Sequence, residues 1–381
     1  MQGVPNTTVR PLALPKYQSR IVHFELNEKT GGIKITKQTY LTRGDGTTPI
    51  SGVPNVIFDK NQTTQIDEAP ADLAGNLLSL DTFGGDMEAI IEASDGSFWT
   101  VDEYRPAIYH FDSKGTLIAR YVPKGLASLA GQPAGTYGTE TLPADYGTRR
   151  RNRGFEAAAL SGDGKILYAF IQTPLANPNR AASDASDVIR ILGIDTKTGA
   201  AKEEYVYLLE GSDFRDSKVD KIGDAVWAKD GQAMFVIERD SSVQPYAKKF
   251  VYRIDLAAAT NLLASGAPSL KPGLTLEQHT ADDLADQGIV PVNKIKLFNL
   301  PSIGYRAGDK PEGLALLPDG RMAVLNDNDF GLAGGIGPGG KLEFLDSAPV
   351  VLGILECKRG NVIDASDKDD KINLRNWPAY G

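Results

Sequence analysis

The chain has 381 residues, 41% of them hydrophobic and 24% charged, with a formal net charge of −8, which is the composition of an ordinary globular protein. The acidic balance argues against nucleic acid as a partner, because binding to a phosphate backbone requires a basic surface. One cysteine excludes an intramolecular disulfide and a cysteine-built metal site, and three histidines without the spacing of a HExxH motif exclude a zinc hydrolase of that type.

The predicted strands start with an N-terminal pair at residues 20–26 and 33–41, separated by a turn that contains two glycines. Apolar runs on both sides of a glycine turn predict a β-hairpin. Residues 50–80 contain at most one degenerate hairpin.

Four later segments share one pattern: an acid followed by a small residue, an apolar run, an Asp-Gly turn and a second apolar run that ends in polar residues. The opening acids are Glu88, Glu156, Asp224 and Glu312. The Asp-Gly turns lie at 95–96, 163–164, 230–231 and 319–320. Asp-Gly between apolar runs is a strong hairpin signal, because both residues tolerate positive φ. Each segment is therefore predicted to be a hairpin.

Each hairpin except the last is followed by a second predicted strand pair, within 107–122, 188–209 and 250–300, and 342–355 is predicted to form further strand. Recurring four-stranded units predict an all-β fold, a β-propeller closed by both chain ends. We expect one domain over residues 1–381 with four-stranded blades, six in number, with seven as the alternative.

The alternative fold, a β-sandwich with a helical domain, is disfavoured because helix is predicted only at 281–288 and 256–264. Two long insertions are expected as excursions from one face, near residues 123–151 and 257–292. Loops of this length are usually functional.

The propeller geometry places the predicted acids at one rim of the ring. In each hairpin, the start of the first strand and the end of the second lie at the rim opposite the Asp-Gly turn. We call this rim the mouth. The acids and amides expected there are Glu88, Asp102, Glu103, Glu156, Gln172, Asp224, Glu238, Glu312, Asn326 and Asp327. Converging carboxylates are costly unless a cation neutralises them.

Two interpretations of the acids stay open. Oxygen donors in a chain with few His and Cys favour Ca²⁺, which accepts six to eight oxygens in flexible geometry. The alternative is that the acids cap strand ends and pair with neighbouring arginines.

Basic residues are predicted at the same rim, where Arg105, Arg153, Arg306 and Lys310 are candidates for binding a substrate anion. Tyr104 is a further candidate substrate contact, although its position beside an inner strand is also typical of core. No Gly-x-Ser-x-Gly motif is present, so a hydrolase triad of the α/β type has no anchor.

Three sequence blocks resemble those of a known family. They are 86–90 with 98–106 and 110–112, then 152–164, then 311–314 with 326–331. Here the sequence resembles the phytase-like family described as having "esterase-like activity of phytase", over roughly residues 20–345. The resemblance implies a propeller, a hydrolase and often an exported protein. Arg105 stands where the family usually has Gly, which puts a cation at the mouth.

The residues and the resemblance together predict a Ca²⁺-dependent hydrolase of phosphate esters, with a metal-activated water at the mouth and a small anionic ester as substrate. Glu88, Glu103 and Glu156 are the predicted catalytic residues. The predicted metal ligands are Glu88, Asp102, Glu103, Glu156, Glu312 and Asp327. Two alternatives stay open: a non-catalytic ligand- or partner-binding propeller with structural Ca²⁺, and a carboxylester or lactone hydrolase.

The expected cellular context follows from the resemblance, which implies a secreted or periplasmic protein. No signal peptide is visible in the given chain, and no run approaches the ~18 apolar residues of a membrane span. The protein is expected to be a monomer.

Overall fold

The computed structural model describes residues 9–55, 69–211, 218–229, 231–243, 246–328, 332–336, 342–344 and 349–356. Over these ranges the fold is all-β, mostly strands with few short helices, as predicted. Four small sheets form a ring that resembles a β-propeller. Six or seven blades are not confirmed, because the described ring contains four such sheets.

The N-terminal region contains two strand pairs. The strands are β1 (Val9–Pro11), β2 (Arg20–Asn27), β3 (Gly32–Tyr40) and β4 (Ala69–Ala71). The predicted hairpin is confirmed as the antiparallel pair β2-β3, and β1 pairs in parallel with β4. Within 50–80, where one degenerate hairpin was predicted, the described residues contain β4 and an antiparallel bridge between Ala71 and Leu77, and 56–68 lie outside them.

The first and second sheets are built from consecutive strands. The first contains β5 (Met87–Glu92), β6 (Phe98–Asp102), β7 (Ala107–Phe111), β8 (Leu117–Pro123) and β9 (Thr139–Leu142) in that order. The second contains β10 (Phe155–Leu160), β11 (Ile166–Ile171), β12 (Val188–Asp195) and β13 (Ala201–Leu208). The first sheet exceeds the predicted four strands, because β9 from the insertion pairs in parallel with β8.

The third and fourth sheets follow the same plan. The third contains β14 (Lys221–Trp227), β15 (Ala233–Arg239), β16 (Lys249–Asp255) and β17 (Asn293–Asn299). The fourth contains β18 (Lys310–Leu316), β19 (Met322–Asp327) and β22 (Leu352–Leu355), while β20 (Leu332–Ile336) pairs with β21 (Leu342–Phe344). The fourth sheet has three strands among the described residues.

The Asp-Gly turns have the predicted backbone conformation, and the helices are few and short. Gly96, Gly164, Gly231 and Gly320 all have positive φ, as the Asp-Gly turns require, although Asp230 lies outside the described residues. The helices are α1 (Leu126–Leu129), α2 (Arg180–Ala185) and α3 (Ala281–Asp286), with 3₁₀ turns at Ala144–Thr148, Leu276–Gln278 and Leu300–Ile303. The helix predicted at 281–288 is α3, and the one predicted at 256–264 was wrong, because that segment consists of turns.

The ring is held by apolar packing between neighbouring sheets. The strands β5, β10, β14 and β18 lie innermost, each beside the next around the ring. The largest core cluster joins Trp99 of the first sheet, Phe155 and Phe170 of the second and Tyr252 of the third. The hairpin β2-β3 contacts the first sheet where Thr42, just after β3, forms a bridge with Thr116, just before β8. It contacts the fourth sheet through an ion pair between Glu28 and Arg321 at 2.6 Å.

Candidate functional site

Each innermost strand has a β-bulge at the acid that opens its repeat. The pairing register shifts between Glu88 and Ile90, between Phe155 and Ala157, between Ile222 and Ala225, and between Pro311 and Gly313. A bulge adds one residue to a strand and redirects a side chain out of the regular alternation. The acid followed by a small residue is therefore the sequence signal of a repeated bulge at the mouth.

Two groups of carboxylates converge at the mouth. Oxygens of Asp86, Glu88 and Glu103 lie within 4.8 Å of one another, and so do oxygens of Glu88, Glu156 and Glu312. We term Asp86, Glu88 and Glu103 the outer group, and Glu88, Glu156 and Glu312 the inner group. Glu88 belongs to both. Strands of the first, second and fourth sheets thus bring together four of the six predicted metal ligands.

Asp86 is a member that the sequence analysis missed. It lies two residues before Glu88 in the same motif, and its carboxylate is 3.4 Å from the guanidinium of Arg10. The motif contained the signal, because residues two apart in an extended segment face the same side.

Glu88, the residue shared by the two groups, is surrounded by the negative charges of four other carboxylates. Burial raises its pKa well above the usual range, and the negative charges of Glu156, Asp86, Glu103 and Glu312 raise it further. Without a cation, such a group ionises only at the expense of folding free energy.

Glu103 is a buried member of the outer group, and its carboxylate accepts hydrogen bonds from two side chains. Asn152 Nδ2 donates to one carboxylate oxygen at 2.9 Å and Arg153 Nη1 donates to the other at 2.8 Å. Burial raises the pKa of Glu103 to about 8, with the charge of Asp86 adding to the shift and Arg153 opposing it.

The inner group contains a cation of its own. Arg239, 3% exposed, donates to Glu312, and its Nη2 lies 3.8 Å from Glu156 Oε1. Gln172 Nε2 donates to Glu156 Oε2 at 2.5 Å. Burial raises the pKa of Glu156 well above its usual range, and the negative charges of Glu312 and Glu103 raise it further. Arg239 follows Glu238 directly in the sequence and was not predicted as a site residue.

Asp102 lies in a separate, fully buried network. Its Oδ1 accepts backbone N–H groups of Asp86 and Tyr104, each at 3.0 Å. Its Oδ2 accepts from Arg120 and Asn55, each at 3.3 Å. Burial raises the pKa of Asp102 to about 7, against the opposing charge of Arg120. This carboxylate ties together the loops that carry the outer group.

The acids of the third sheet also have structural partners. Asp224 accepts the backbone N–H groups of Ala225 at 2.7 Å and Leu314 at 2.6 Å, which joins the third sheet to the fourth. Burial raises the pKa of Asp224 to about 8, although both hydrogen bonds oppose the shift. Glu238 accepts from Tyr207 at 2.5 Å and Lys294 at 2.7 Å. Because both acids are hydrogen-bonded within the fold, the third sheet contributes the cation Arg239, rather than a carboxylate, to the inner group.

The predicted anion-binding residues differ in their placement. Arg153 contacts the outer group, and Arg105 is 3% exposed. Arg306 is exposed and donates to the carbonyl of Pro301 at 3.2 Å. Lys310 pairs with Asp327 at 3.3 Å, and this pair lies outside both carboxylate groups.

Tyr104 lies beside the outer group. It is 3% exposed, and its hydroxyl donates to the carbonyl of Gly52 at 3.0 Å.

A cavity of about 580 Å³ lies away from the carboxylates, between α2 and the second insertion. It is lined by Leu208, Glu277 and His279 among others, and shares no residue with either carboxylate group. Within it Glu277 is committed to an ion pair with Arg190 at 2.6 Å.

The family comparison agrees with the motifs at the mouth. The model of the Phytase-like family, described as "Esterase-like activity of phytase", matches residues 13–330. The chain belongs to this family. The match covers all four innermost strands and both carboxylate groups of this phytase-like protein.

A curated relative of this phytase-like protein is an uncharacterized secreted protein of Arthroderma benhamiae, 30% identical over 206 residues. The alignment covers 48% of this chain and 39% of that protein, so the chain spans well under half of its relative. In the part of the chain that the structure describes, no helix has the length and apolar character to cross a membrane.

Solved structures give weaker similarity to the phytase-like protein. The hydrazine synthase of Kuenenia stuttgartiensis has 13% identity and a TM-score of 0.36, over 86% of this chain and 80% of that one. A protein from Lactobacillus plantarum has 15% identity and a TM-score of 0.37, over 92% and 88%. At these TM-scores neither similarity supports an inference about this protein.

Proposed function

We propose that the phytase-like protein is a Ca²⁺-dependent hydrolase of phosphate esters that acts at the mouth of the ring. The observation that carries the proposal is the convergence of five carboxylates in two groups that share Glu88. Oxygen donors of this kind favour a hard cation such as Ca²⁺.

The outer group is the proposed cation site. Ca²⁺ lies about 2.4 Å from its ligands, so two ligand oxygens of one ion are separated by up to about 4.8 Å. The outer-group oxygens lie within 4.8 Å of one another and therefore fit a common ion. The inner group already contains the guanidinium of Arg239. Gln172 Oε1 is buried without a hydrogen-bond partner among the described residues, which adds an unused oxygen donor beside Glu156.

When bound there, Ca²⁺ would lower the pKa of a coordinated water and polarise the ester. Glu156 is the proposed general base, because a carboxylate oxygen of Glu156 lies within 4.8 Å of one of Glu88, the residue that both groups share. A bond forms between the water oxygen and phosphorus while the bond from phosphorus to the alcohol oxygen breaks. The water proton passes to Glu156 and then to the departing alkoxide. Arg153 supplies positive charge beside the phosphate oxygens.

The test compares wild type with Glu88→Gln and with the matched control Glu92→Gln, which changes an exposed residue of the same strand. Thermal stability is measured with Ca²⁺ and with chelator, together with hydrolysis of p-nitrophenyl phosphate and p-nitrophenyl acetate. At a hundredfold excess over its Kd, Ca²⁺ is expected to stabilise wild type and Glu92→Gln by about 2.7 kcal/mol. Glu88→Gln is expected to lose both stabilisation and phosphate ester hydrolysis.

The other outcomes separate the alternatives. Stabilisation by Ca²⁺ without turnover supports a non-catalytic propeller with structural Ca²⁺. Turnover of the acetate alone supports a carboxylester hydrolase. If Ca²⁺ neither stabilises wild type nor supports hydrolysis, the proposal is wrong.

Export from the cell is part of the same proposal. The relative from Arthroderma benhamiae is a secreted protein. Extracellular Ca²⁺ sites typically have Kd values on the order of 10⁻⁴–10⁻³ M, a range that a few carboxylates can supply.

A further inference from the structure

The N-terminal strand β1 is anchored beside the mouth. It pairs in parallel with β4, with Arg10 opposite Pro70, and the backbone N–H of Leu12 donates to the carbonyl of Ala71 at 2.8 Å. The partner strand is buried along its whole length. The backbone of Arg10 is therefore fixed although it lies near the start of the chain.

The side chain of Arg10 reaches the outer carboxylate group. Its Nη1 donates to Asn152 Oδ1 at 3.0 Å, and its Nη2 lies 3.4 Å from Asp86 Oδ2. The guanidinium carbon lies 5.5 Å from the centre of the Tyr104 ring. Asn152 in turn donates to Glu103, so Arg10 contacts one member of the proposed Ca²⁺ site, Asp86, and a hydrogen-bond donor to another, Glu103.

Exposure distinguishes Arg10 from most arginines around the mouth. Its side chain is 30% exposed and that of Arg153 is 34% exposed. In contrast, Arg105, Arg120 and Arg239 are buried. An ion pair as exposed as that between Arg10 and Asp86 contributes little to stability. Two partly exposed guanidinium groups therefore flank the outer group, and their planar forks suit the oxygens of a phosphate.

We propose that Arg10 is a substrate-binding residue that sets the preference of the site for phosphate esters over neutral esters. This inference rests on the proposed function, because it takes the mouth to be the substrate site. A phosphate ester carries negative charge that both guanidinium groups attract, whereas a neutral carboxylate ester carries none. Arg10 thus completes a pair with Arg153, although more than a hundred residues separate the two in sequence.

The test uses Arg10→Gln, with Arg20→Gln as the matched control at an exposed arginine of β2. Calorimetry with Ca²⁺ present measures the Kd of inorganic phosphate, and kinetics measure KM for p-nitrophenyl phosphate and p-nitrophenyl acetate. Arg10→Gln is expected to raise the Kd of phosphate and the KM of the phosphate ester about tenfold or more. The KM of the acetate is expected to stay within about twofold. Arg10→Lys should recover part of the loss, because it keeps the charge without the fork.

Thermal stabilisation by Ca²⁺ is the separate readout for the metal site. It is expected to persist in Arg10→Gln, because the variant removes a cation that faces Asp86. If phosphate binds wild type and Arg10→Gln equally, or does not bind wild type, the role of Arg10 is overturned while the Ca²⁺ site stands. An equal loss for both esters overturns the specificity role. If Ca²⁺ fails to stabilise wild type, the proposed function fails first.

Discussion

Asp102 and Glu103 are adjacent in sequence, but their carboxylates have different surroundings. Asp102 accepts hydrogen bonds from two backbone N–H groups and from the side chains of Arg120 and Asn55. Glu103 belongs to the outer group. The saturation of Asp102 by internal donors leaves it little capacity to bind a cation, which argues for a structural role at this residue.

Asp102→Ala is therefore expected to lower the free energy of unfolding by about 3–5 kcal/mol, because it leaves Arg120 buried without its carboxylate. Urea unfolding in the presence of chelator measures the loss. The control Asp286→Ala removes an exposed aspartate and should change stability by less than about 0.5 kcal/mol. If Asp102→Ala keeps full stability but loses the response to Ca²⁺, Asp102 is a metal ligand, as the sequence predicted.

Much of the residue-level site could be predicted from the repeat. Equivalent positions in the four hairpins had to meet at one rim, which brought Glu88, Glu156 and Glu312 together. The partners of each acid could not be predicted, because they depend on side-chain directions across different sheets. For this reason Arg239, which follows Glu238 in sequence, was not assigned to Glu312.

At the scale of elements, the β-bulge is the device that places the acids. In β5 the extra residue is Ala89, whose φ of 47° lies in the left-handed region. This conformation costs a residue with a Cβ roughly 1–2 kcal/mol relative to right-handed backbone. Strain at this position therefore accompanies the placement of Glu88.

Two substitutions at Ala89 test the bulge. Ala89→Gly is expected to raise the free energy of unfolding by up to about 1 kcal/mol, because glycine accepts positive φ. Ala89→Val is expected to lower it by about 1–3 kcal/mol and to weaken the response to Ca²⁺, because a β-branched residue disfavours the bulge. Urea unfolding and thermal shifts with Ca²⁺ provide the measurements.

The control is Ala315→Val, at an exposed alanine of β18 where valine suits an extended strand. It should leave both measurements nearly unchanged. An Ala89→Val protein as stable as wild type would show that the bulge does not constrain this strand.

The hairpins of the ring were predictable because Asp-Gly turns act locally. The fifth strand of the first sheet was not, since β9 pairs with β8 through contacts that no local pattern specifies. The bulges were equally hidden: an acid followed by a small residue indicates one only after the strand pairing is known.

At the scale of the whole molecule, buried acids couple folding to pH. The pKa is raised to about 7 for Asp102 and to about 8 for Glu103 and Asp224, chiefly by burial. Between pH of about 4, where unfolded carboxyls lose their protons, and about 8, the folded protein holds more protons than the unfolded chain. Rising pH therefore favours the unfolded chain across this window.

The metal-free protein is accordingly expected to lose stability steadily from pH 5 to about pH 8. Urea unfolding at pH 5, 6, 7 and 8 with chelator measures the slope. Saturating Ca²⁺ is expected to reduce the slope, because the cation takes the place of protons on the outer group. A metal-free stability that rises with pH over this window contradicts the shifted pKa values.

The sequence predicted an all-β ring of small sheets. How the two chain ends close the ring is described only in part. The hairpin β2-β3 does lie between the first and fourth sheets by its contacts. The C-terminal strand predicted within 342–355 is represented by β21 and by β22, which pairs with β19 of the fourth sheet, and residues 357–381 lie outside the described residues.

The guanidinium of Arg239 has a consequence for the order in which the protein matures. It lies between Glu156 of the second sheet and Glu312 of the fourth, so the centre of the ring carries a permanent counter-ion supplied by the chain itself. The negative charge of Glu156 and Glu312 is therefore partly neutralised without a metal ion. Under the proposed function, the ring would close without calcium, and the outer group would take up Ca²⁺ later, in calcium-rich surroundings.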